Sequence, residues 1–216
     1  MHRALVLSLV LTFTLFGGTA AVAAPILFDN FGAGDTFLPL GPYGVDGVGS
    51  GFQAFRFVAT ASGALEEITV ALGRTGAAQA TTLFDLYDGA STVAFGVLLE
   101  SFAVPNSVPP DSTVPFTGAP VTFLSVAMPT LAAGSGYWLS IREGEAANGA
   151  SSLWFANSTG SSGFRLTSSI PSAVAVLPAF RLEAQSAAVP EPSSLALLGI
   201  GLFAATWRRR WRKTSK

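Results

Sequence analysis

The side chains that most often act in catalysis are scarce in this sequence of 216 residues. It contains no Cys and a single His, His2. A Ser/His/Asp or Cys/His nucleophile, thiol redox chemistry and the usual zinc sites all need an imidazole or a thiolate. His2 falls in a segment that we expect to be removed on export, so the mature protein would have neither group. The sequence therefore predicts a protein that is not an enzyme and that contains no disulfide.

Carboxylate pairs are the remaining catalytic candidates, because a glycosidase needs two carboxylates that face one substrate. Glu66 and Glu67 are adjacent in a predicted strand, so their side chains point to opposite faces. Glu143 and Glu145 could face alike, but they lie in a glycine-rich tip where water would surround them. We expect neither pair to be catalytic.

Calcium is the one cofactor that the sequence suggests. Asp29 and Asp35 lie in a glycine-containing segment near the start of the mature chain. Hard oxygen ligands from several loops can bind calcium without His or Cys, although the spacing of an EF-hand is absent. Asp also stabilises turns, and this structural role is the alternative for both residues. In that case no cofactor is bound.

Two tryptophans are candidates for sugar binding. In the predicted strand that starts at Tyr137, the residues Tyr137, Leu139 and Ile141 share one face, which leaves Trp138 on the other. If the first face is core, the indole of Trp138 is exposed and can stack on a sugar ring, and Trp154 is a second candidate. The alternative is that both indoles pack between sheets, as large aromatic side chains do in sandwich cores.

The elements that position these residues are predicted to be strands. Apolar residues alternate or occur in short runs between Gly, Pro, Asn and Ser, and no window predicts a long amphipathic helix. We predict an all-β fold over 24–185, an antiparallel, jelly-roll-like β-sandwich. The Gly- and Pro-rich stretches 32–51 and 104–120 predict long loops. The predicted strands are Phe52–Thr60, Leu65–Leu72, Thr81–Tyr87, Val97–Phe102, Val121–Val126, Tyr137–Arg142, Ser152–Phe155 and Ala179–Leu182.

Charge is segregated along the chain, although the net charge is only -1. From Ala24 to Val189 there are 5 Arg, no Lys and 12 acidic residues, which gives -7. After Trp207 come six basic residues and no acid, which gives +6. Phosphate contacts need Lys and Arg on a common surface, so the acidic body is not expected to bind nucleic acid.

The first 23 residues have the order of a secretory signal peptide. A basic start precedes an uncharged apolar stretch, and small residues follow as far as Ala23. We expect signal peptidase, acting with the general secretion machinery, to cleave after Ala23, because cleavage after Ala24 would leave Pro25 at the first position. The alternative is an uncleaved N-terminal membrane anchor.

The C-terminal residues predict a short transmembrane helix at 195–207, preceded by a linker at 186–194 and followed by a basic tail at 208–216. Residues 193–207 would span about 22 Å as a helix, which is less than the roughly 30 Å hydrocarbon core. Snorkelling arginines and local thinning of the bilayer can close that gap. Positive residues favour the cytoplasmic side, so the body is predicted to lie across the membrane from the tail. The alternative is a plain single-span anchor.

A short proline motif precedes this helix. Pro190 and Pro192 push Val189 and Glu191 to extended conformations that a processing enzyme can bind. The motif Pro190-Glu191-Pro192, the short helix and the basic end together resemble the PEP-CTERM sorting signal of exopolysaccharide-producing Gram-negative bacteria, a kind of tail also catalogued under an ice-binding protein C-terminal label. The resemblance implies that an exosortase, a membrane-embedded Cys-dependent transpeptidase, processes the chain near the motif. The basic residues that stop transfer are Arg208, Arg209, Arg210, Arg212 and Lys213.

The body carries a second resemblance, spread over short apolar phrases. Leu27–Gly32, Leu98–Phe102 and Tyr137–Leu139 are similar to phrases of the choice-of-anchor domains, type R. Both resemblances imply an exported surface protein. The sorting signal further implies a surface or extracellular-matrix protein that is first held in the inner membrane of a Gram-negative bacterium and is associated with exopolysaccharide or biofilm. The alternative function is a carbohydrate- or ice-binding adhesive module tethered by a single membrane span.

Overall fold

The computed structural model describes residues 23–46, 51–75, 81–89, 91–105, 117–144, 151–167, 170–174 and 176–186. Within these ranges the chain forms strands and no helix, so none of the described elements is a helix that could cross a membrane. All strand pairs are antiparallel, which confirms the predicted all-β antiparallel class. The predicted signal peptide up to residue 22 and the tail from residue 187 onward lie outside the described residues.

Thirteen strands occur in the described ranges. They are β1 (Ile26–Asp29), β2 (Phe37–Asp46), β3 (Phe52–Val58), β4 (Gly63–Thr75), β5 (Thr81–Asp88), β6 (Leu98–Pro105), β7 (Ala119–Leu124), β8 (Thr130–Leu131), β9 (Gly136–Glu143), β10 (Ser151–Asn157), β11 (Gly163–Thr167), β12 (Ile170–Val174) and β13 (Phe180–Ala184).

The strands form two sheets. The seven-stranded sheet has the order β1-β13-β4-β10-β2, and β7 and β8 also pair with β4. Val70 of β4 lies opposite both Phe180 of β13 and Val121 of β7, so these two strands occupy opposite edges of β4. The six-stranded sheet has the order β12-β11-β3-β9-β5-β6. The last strand of the body, β13, thus lies in the interior of its sheet, between β1 and β4.

Aromatic side chains from both sheets pack together in one core. The ring of Trp154 in β10 meets the rings of Phe55 and Phe84 edge-on, with ring centroids 5.3 Å apart in each pair. Phe57 of β3 contacts Phe180 of β13 in the same way at 5.4 Å. The alternate residues Ile68, Val70 and Leu72 of β4 enter this cluster and are fully buried. The packing is sandwich-like, with the core between the two sheets.

The outer faces of both sheets are also partly covered by apolar side chains. On the seven-stranded sheet, Phe31 and Phe37 pack over Phe155. On the six-stranded sheet, Phe95 stacks on Tyr87 at 4.4 Å and meets Trp138 edge-on at 5.8 Å. Strands such as β9 are therefore buried on both faces, which a simple in–out alternation does not predict.

Prolines mark the strands that pair on one side only. The described strands contain Pro39 and Pro42 in β2, Pro105 in β6, Pro120 in β7 and Pro171 in β12, and each of these strands has a single pairing partner. A missing N–H is tolerated where it faces away from the ladder. The prediction that 32–51 is a loop was therefore wrong, because β2 runs through it as an edge strand. Residues 106–116 of the other predicted loop lie outside the described residues.

Candidate functional site

The chain enters and leaves the body at neighbouring points. The N–H of Ala184, the last residue of β13, donates to the carbonyl of Pro25 at 2.8 Å. The N–H of Gln185 donates to the carbonyl of Ala64 at 2.8 Å. The end of the two sheets where β1 begins and β13 ends is called the terminal end below. By antiparallel register, β4 begins there and β7 ends there. The N–H of Thr60, just after β3, donates to the carbonyl of Leu27 in β1 at 2.7 Å, so β3 ends there as well. Register within the six-stranded sheet then shows that β6, β9 and β11 begin there and β5 ends there.

The described residues nearest in sequence to the two predicted processing points are found at this end. Ala23 is exposed and Ala24 is half-buried, and β1 begins only two residues later. On the other side, Gln185 and Ser186 are exposed. The sorting residues Pro190, Glu191 and Pro192 and the basic residues 208–213 lie outside the described residues. What the structure does place is the strand from which the sorting segment departs.

Neither tryptophan of the described residues is available to a sugar, so the predicted stacking at Trp138 and Trp154 is corrected. Both side chains are fully buried. The indole N–H of Trp138 donates to the carbonyl of Ser91 at 3.1 Å, because the connection between β5 and β6 folds over it. The indole N–H of Trp154 donates to the carbonyl of Ala179 at 3.0 Å inside the core. A buried tryptophan with a satisfied N–H is a packing residue.

The two carboxylates proposed as calcium ligands already have partners within the protein. Asp35 forms an ion pair with Arg181, with Oδ1 and Nη1 2.6 Å apart. Arg181 also pairs with Glu183 at 2.7 Å, and its guanidinium lies 5.9 Å from the centre of the Phe31 ring. Asp29 Oδ1 accepts the N–H of Phe31 at 2.9 Å, as in an Asx turn. Among the described residues no three acidic side chains converge as metal ligands.

The glutamates considered as catalytic pairs contact other parts of the protein. Glu67 lies opposite Glu183 on the neighbouring strand β13. Burial, and after it the facing carboxylate of Glu183, raises the pKa of Glu67. Glu143 accepts the N–H of Ser152 at the start of β10. Its predicted companion Glu145 lies outside the described residues.

A buried carboxylate that sequence reasoning missed joins the two sheets. Glu100 of β6 accepts the hydroxyl of Ser125 at 2.5 Å and the N–H groups of Val126 and Ala127 at 2.6 and 3.1 Å. The glutamate belongs to the edge of one sheet, and the turn that it holds follows the edge strand β7 of the other. Glu100 lies in a run of apolar residues, and this position was the only signal in the sequence that could have revealed it.

A second ionic cluster lies on the six-stranded sheet. Asp85 is almost fully buried and accepts from Arg142 Nε at 2.8 Å and from the hydroxyl of Ser101 at 2.6 Å. These three residues come from the neighbouring strands β5, β9 and β6. The guanidinium of Arg142 remains about half exposed. Because the carboxylate is held by both of its neighbours, the cluster ties three strands together.

Two buried asparagines organise the connection between β12 and β13. Asn157 Nδ2 donates to the carbonyls of Ser161 and Leu177, and its Oδ1 accepts the N–H of Thr159 at 3.0 Å. Asn30 Nδ2 donates to the carbonyl of Pro178 at 2.7 Å. Asn157 opens the sequon Asn157-Ser158-Thr159, and its fully buried side chain makes this a structural turn.

An open cavity of about 520 Å³ lies at the terminal end. Its lining includes Arg56, Asp88, Thr130, Ser135 and Tyr137. Arg56 Nε donates to the carbonyl of Gly89 at 3.3 Å, and the hydroxyl of Tyr137 accepts the N–H of Ala132 at 2.8 Å. One guanidinium and one carboxylate line the cavity together with hydroxyl groups, so it favours neither an anionic nor a cationic ligand.

Comparison with known proteins concerns the tail. Residues 188–210 match the PEP-CTERM protein-sorting motif. A search of curated proteins gives no match to the chain. The motif match covers 23 residues (188 to 210) and begins four residues after the end of β13 at Ala184, so the resemblance of the body to choice-of-anchor domains stays a prediction. The chain carries the sorting motif of an exported precursor that passes the membrane and is targeted by exosortase to the cell surface.

Proposed function

We propose that this protein is a non-enzymatic component of the cell surface or extracellular matrix, associated with exopolysaccharide, whose tail is cut by exosortase at or near Pro190, Glu191 and Pro192. The observation that carries the proposal is the sorting motif at residues 188–210, directly after the last strand of the body. The tail supplies the processing site and the membrane span, and the sandwich-like body is the part that is delivered.

The non-enzymatic part of the proposal is supported by the roles of the carboxylates in the body. Glu100, Asp85 and Asp35 each hold a turn or a neighbouring strand through hydrogen bonds or an ion pair. A general acid or base needs a carboxylate that is free to reach a substrate. The acidic body keeps the exported protein soluble and can meet polysaccharide through bridging cations.

The alternative of a sugar-binding module would need an exposed aromatic face. Trp138 and Trp154 do not supply one, since both are fully buried. We therefore place the adhesive role in the processed protein as a whole and not in a tryptophan site.

The experiment that tests this proposal is mass spectrometry of the C-terminus of the protein recovered from the surface and medium of its host. A chain that ends near residues 190–192, together with an intact chain in a strain that lacks the exosortase, is expected. The matched variant Glu191→Ala should accumulate uncut, whereas Glu183→Ala, in the last strand, should be cut normally. An intact Lys216 in both strains would make the protein a tethered single-span protein and overturn the proposal.

A further inference from the structure

A turn at the terminal end points its apolar side chains outward. Leu124, Val126 and Met128 are 67%, 89% and 42% exposed, and they alternate from the last residue of β7 through the turn that follows it. Met128 has a φ of 47°, in the left-handed region that a side chain of this kind rarely adopts. The turn, residues 124–128, is called the apolar tip here.

More exposed apolar side chains surround the apolar tip. Most of the large apolar side chains that are exposed in the described residues lie at the terminal end. Beside the apolar tip and Ile26 at the start of β1, they include Val58 at the end of β3, Val97 and Leu98 where β6 begins, and Phe164 near the start of β11. Exposed apolar groups that gather in one region, rather than scatter, mark an interaction surface.

The backbone of the apolar tip needs no water to satisfy its donors. The N–H of Ser125 donates to the carbonyl of Glu66 at 2.7 Å. The N–H groups of Val126 and Ala127 donate to Glu100, and that of Met128 donates to the hydroxyl of Ser125 at 2.9 Å. The next residue, Pro129, has no N–H. Every backbone donor of residues 125–129 is therefore either satisfied within the protein or absent.

This combination suits a lipid environment. Moving a backbone N–H group into hydrocarbon without a hydrogen-bond partner costs roughly several kcal/mol of free energy, as it does for other polar groups. Apolar side chains outside and satisfied donors inside are the features that allow a turn to enter the interfacial layer of a bilayer.

The length of chain between the body and the predicted membrane span limits how far the terminal end can lie from the bilayer. The chain leaves the terminal end at Ser186, and the uncharged apolar run begins at Leu195, nine residues later. Nine residues span at most about 30 Å when fully extended. While the tail is in the membrane, the terminal end is thus held within that distance of the lipid.

We propose that the apolar tip inserts into the leaflet that faces the body and so docks the precursor on the membrane that holds its tail. This inference rests on the proposed function, because it needs the tail to be inserted. Docking would hold the sorting segment at a fixed height above the bilayer, where a membrane-embedded processing enzyme acts. Since the body carries a charge of -7, the docked surface is zwitterionic lipid rather than anionic lipid.

The test uses the full chain reconstituted in phosphatidylcholine vesicles that contain doxyl-labelled lipid as a quencher. The sequence has no Cys, so single-cysteine variants can be labelled with an environment-sensitive fluorophore without background. Val126→Cys reports on the apolar tip, and Leu38→Cys is its matched control. Leu38 is an exposed apolar residue of β2, next to Ala156 of β10, and β10 pairs with the half of β4 that is far from the terminal end. Ala204→Cys reports on the predicted span. The label at 126 should shift its emission to the blue and be quenched by the doxyl lipid, whereas the label at 38 should not. Replacing part of the lipid with phosphatidylglycerol should weaken the quenching at 126.

The other outcomes are distinguishable. If the label at 204 is quenched and the label at 126 behaves like that at 38, docking is wrong although the tail is inserted as the proposed function requires. If the label at 204 is not quenched, the membrane part of the proposed function fails and docking fails with it. If the label at 126 shifts without vesicles and in proportion to protein concentration, the tip binds a second copy of the chain, and the lipid proposal is overturned.

Discussion

Glu100 and Ser125 connect the edges of the two sheets. The hydroxyl of Ser125 donates to Glu100 Oε2 at 2.5 Å, and the same hydroxyl accepts the N–H of Met128. One buried carboxylate therefore holds both the side chain and the backbone of the turn that follows β7. Near these residues Phe102 of β6 contacts Phe123 of β7 at 5.0 Å, so the polar link continues an apolar one.

Glu100→Gln should destabilise the body by about 2 kcal/mol, because it places an amide where two N–H groups need an acceptor. The measurement is the free energy of unfolding in urea. Glu66→Gln, at a half-buried glutamate in β4, is the control and should change it little. Ser125→Ala combined with Glu100→Gln should cost less than the sum of the single changes, because the two residues share a contact. Additive costs would show that the contact is not formed.

Trp154→Ala should cost about 3–5 kcal/mol of stability, as expected for a large aromatic side chain removed from a core. Trp154→Phe should cost less, because part of the contact with Phe55 and Phe84 is kept. Thermal unfolding measures both variants, and affinity electrophoresis on glycans should show no change that the loss of folding does not explain. A variant that keeps its melting temperature but loses glycan retention would restore the sugar site.

Glu67→Gln should stabilise the protein at neutral pH by a few tenths of a kcal/mol, since it removes a carboxylate that faces Glu183 across the strands. Burial and the facing charge raise the pKa of Glu67 above its ordinary value of 4.5. A carboxyl with a raised pKa in the folded state favours folding when protonated, and this contribution is lost as the pH rises through its unfolded and folded pKa values. The advantage of Glu67→Gln should therefore vanish below about pH 4, near the ordinary carboxyl pKa. Unfolding curves at pH 3.5 and 7 check the sign, and an equal advantage at both values would contradict it.

Asp85→Asn should destabilise the six-stranded sheet by about 1–3 kcal/mol, because Arg142 and Ser101 lose a charged acceptor in an almost fully buried position. The effect should persist in high salt, since the carboxylate is shielded from solvent. Asp35→Asn is the comparison, because the carboxylate of Asp35 is much more exposed. Urea unfolding at low and high salt measures both, and equal salt sensitivity of the two variants would contradict the prediction.

Strands in which apolar and polar residues clearly alternate could be predicted from the sequence. The burial of residues on an outer face that another segment covers could not. All eight predicted strands exist, because Gly, Pro and Asn mark their ends. Trp138 lies on the face opposite Tyr137, Leu139 and Ile141, as predicted, but its expected exposure was wrong. Phe95, from the connection between β5 and β6, covers it, and no local pattern reveals such long-range packing. β2 was missed because Pro39 and Pro42 suggest a loop until the strand is known to be an edge. The links that Glu100 and Arg181 make depend on strands that are distant in sequence, so they could not be predicted either.

The interior position of β13 determines when the exported body can become native. Translocation threads the chain from its N-terminus, so β13 is the last strand to emerge, yet it separates β1 from β4. Until it emerges, the first strand has no neighbour in its sheet and the edge of β4 that receives β13 is open. Folding of the body is therefore completed only after the whole body has crossed the membrane. At that point the sorting segment is the next part of the chain to follow. A precursor stalled before Phe180 would lack the strand that joins β1 to β4 and would be incompletely folded, whereas one stalled after Ala184 would have every strand of the body.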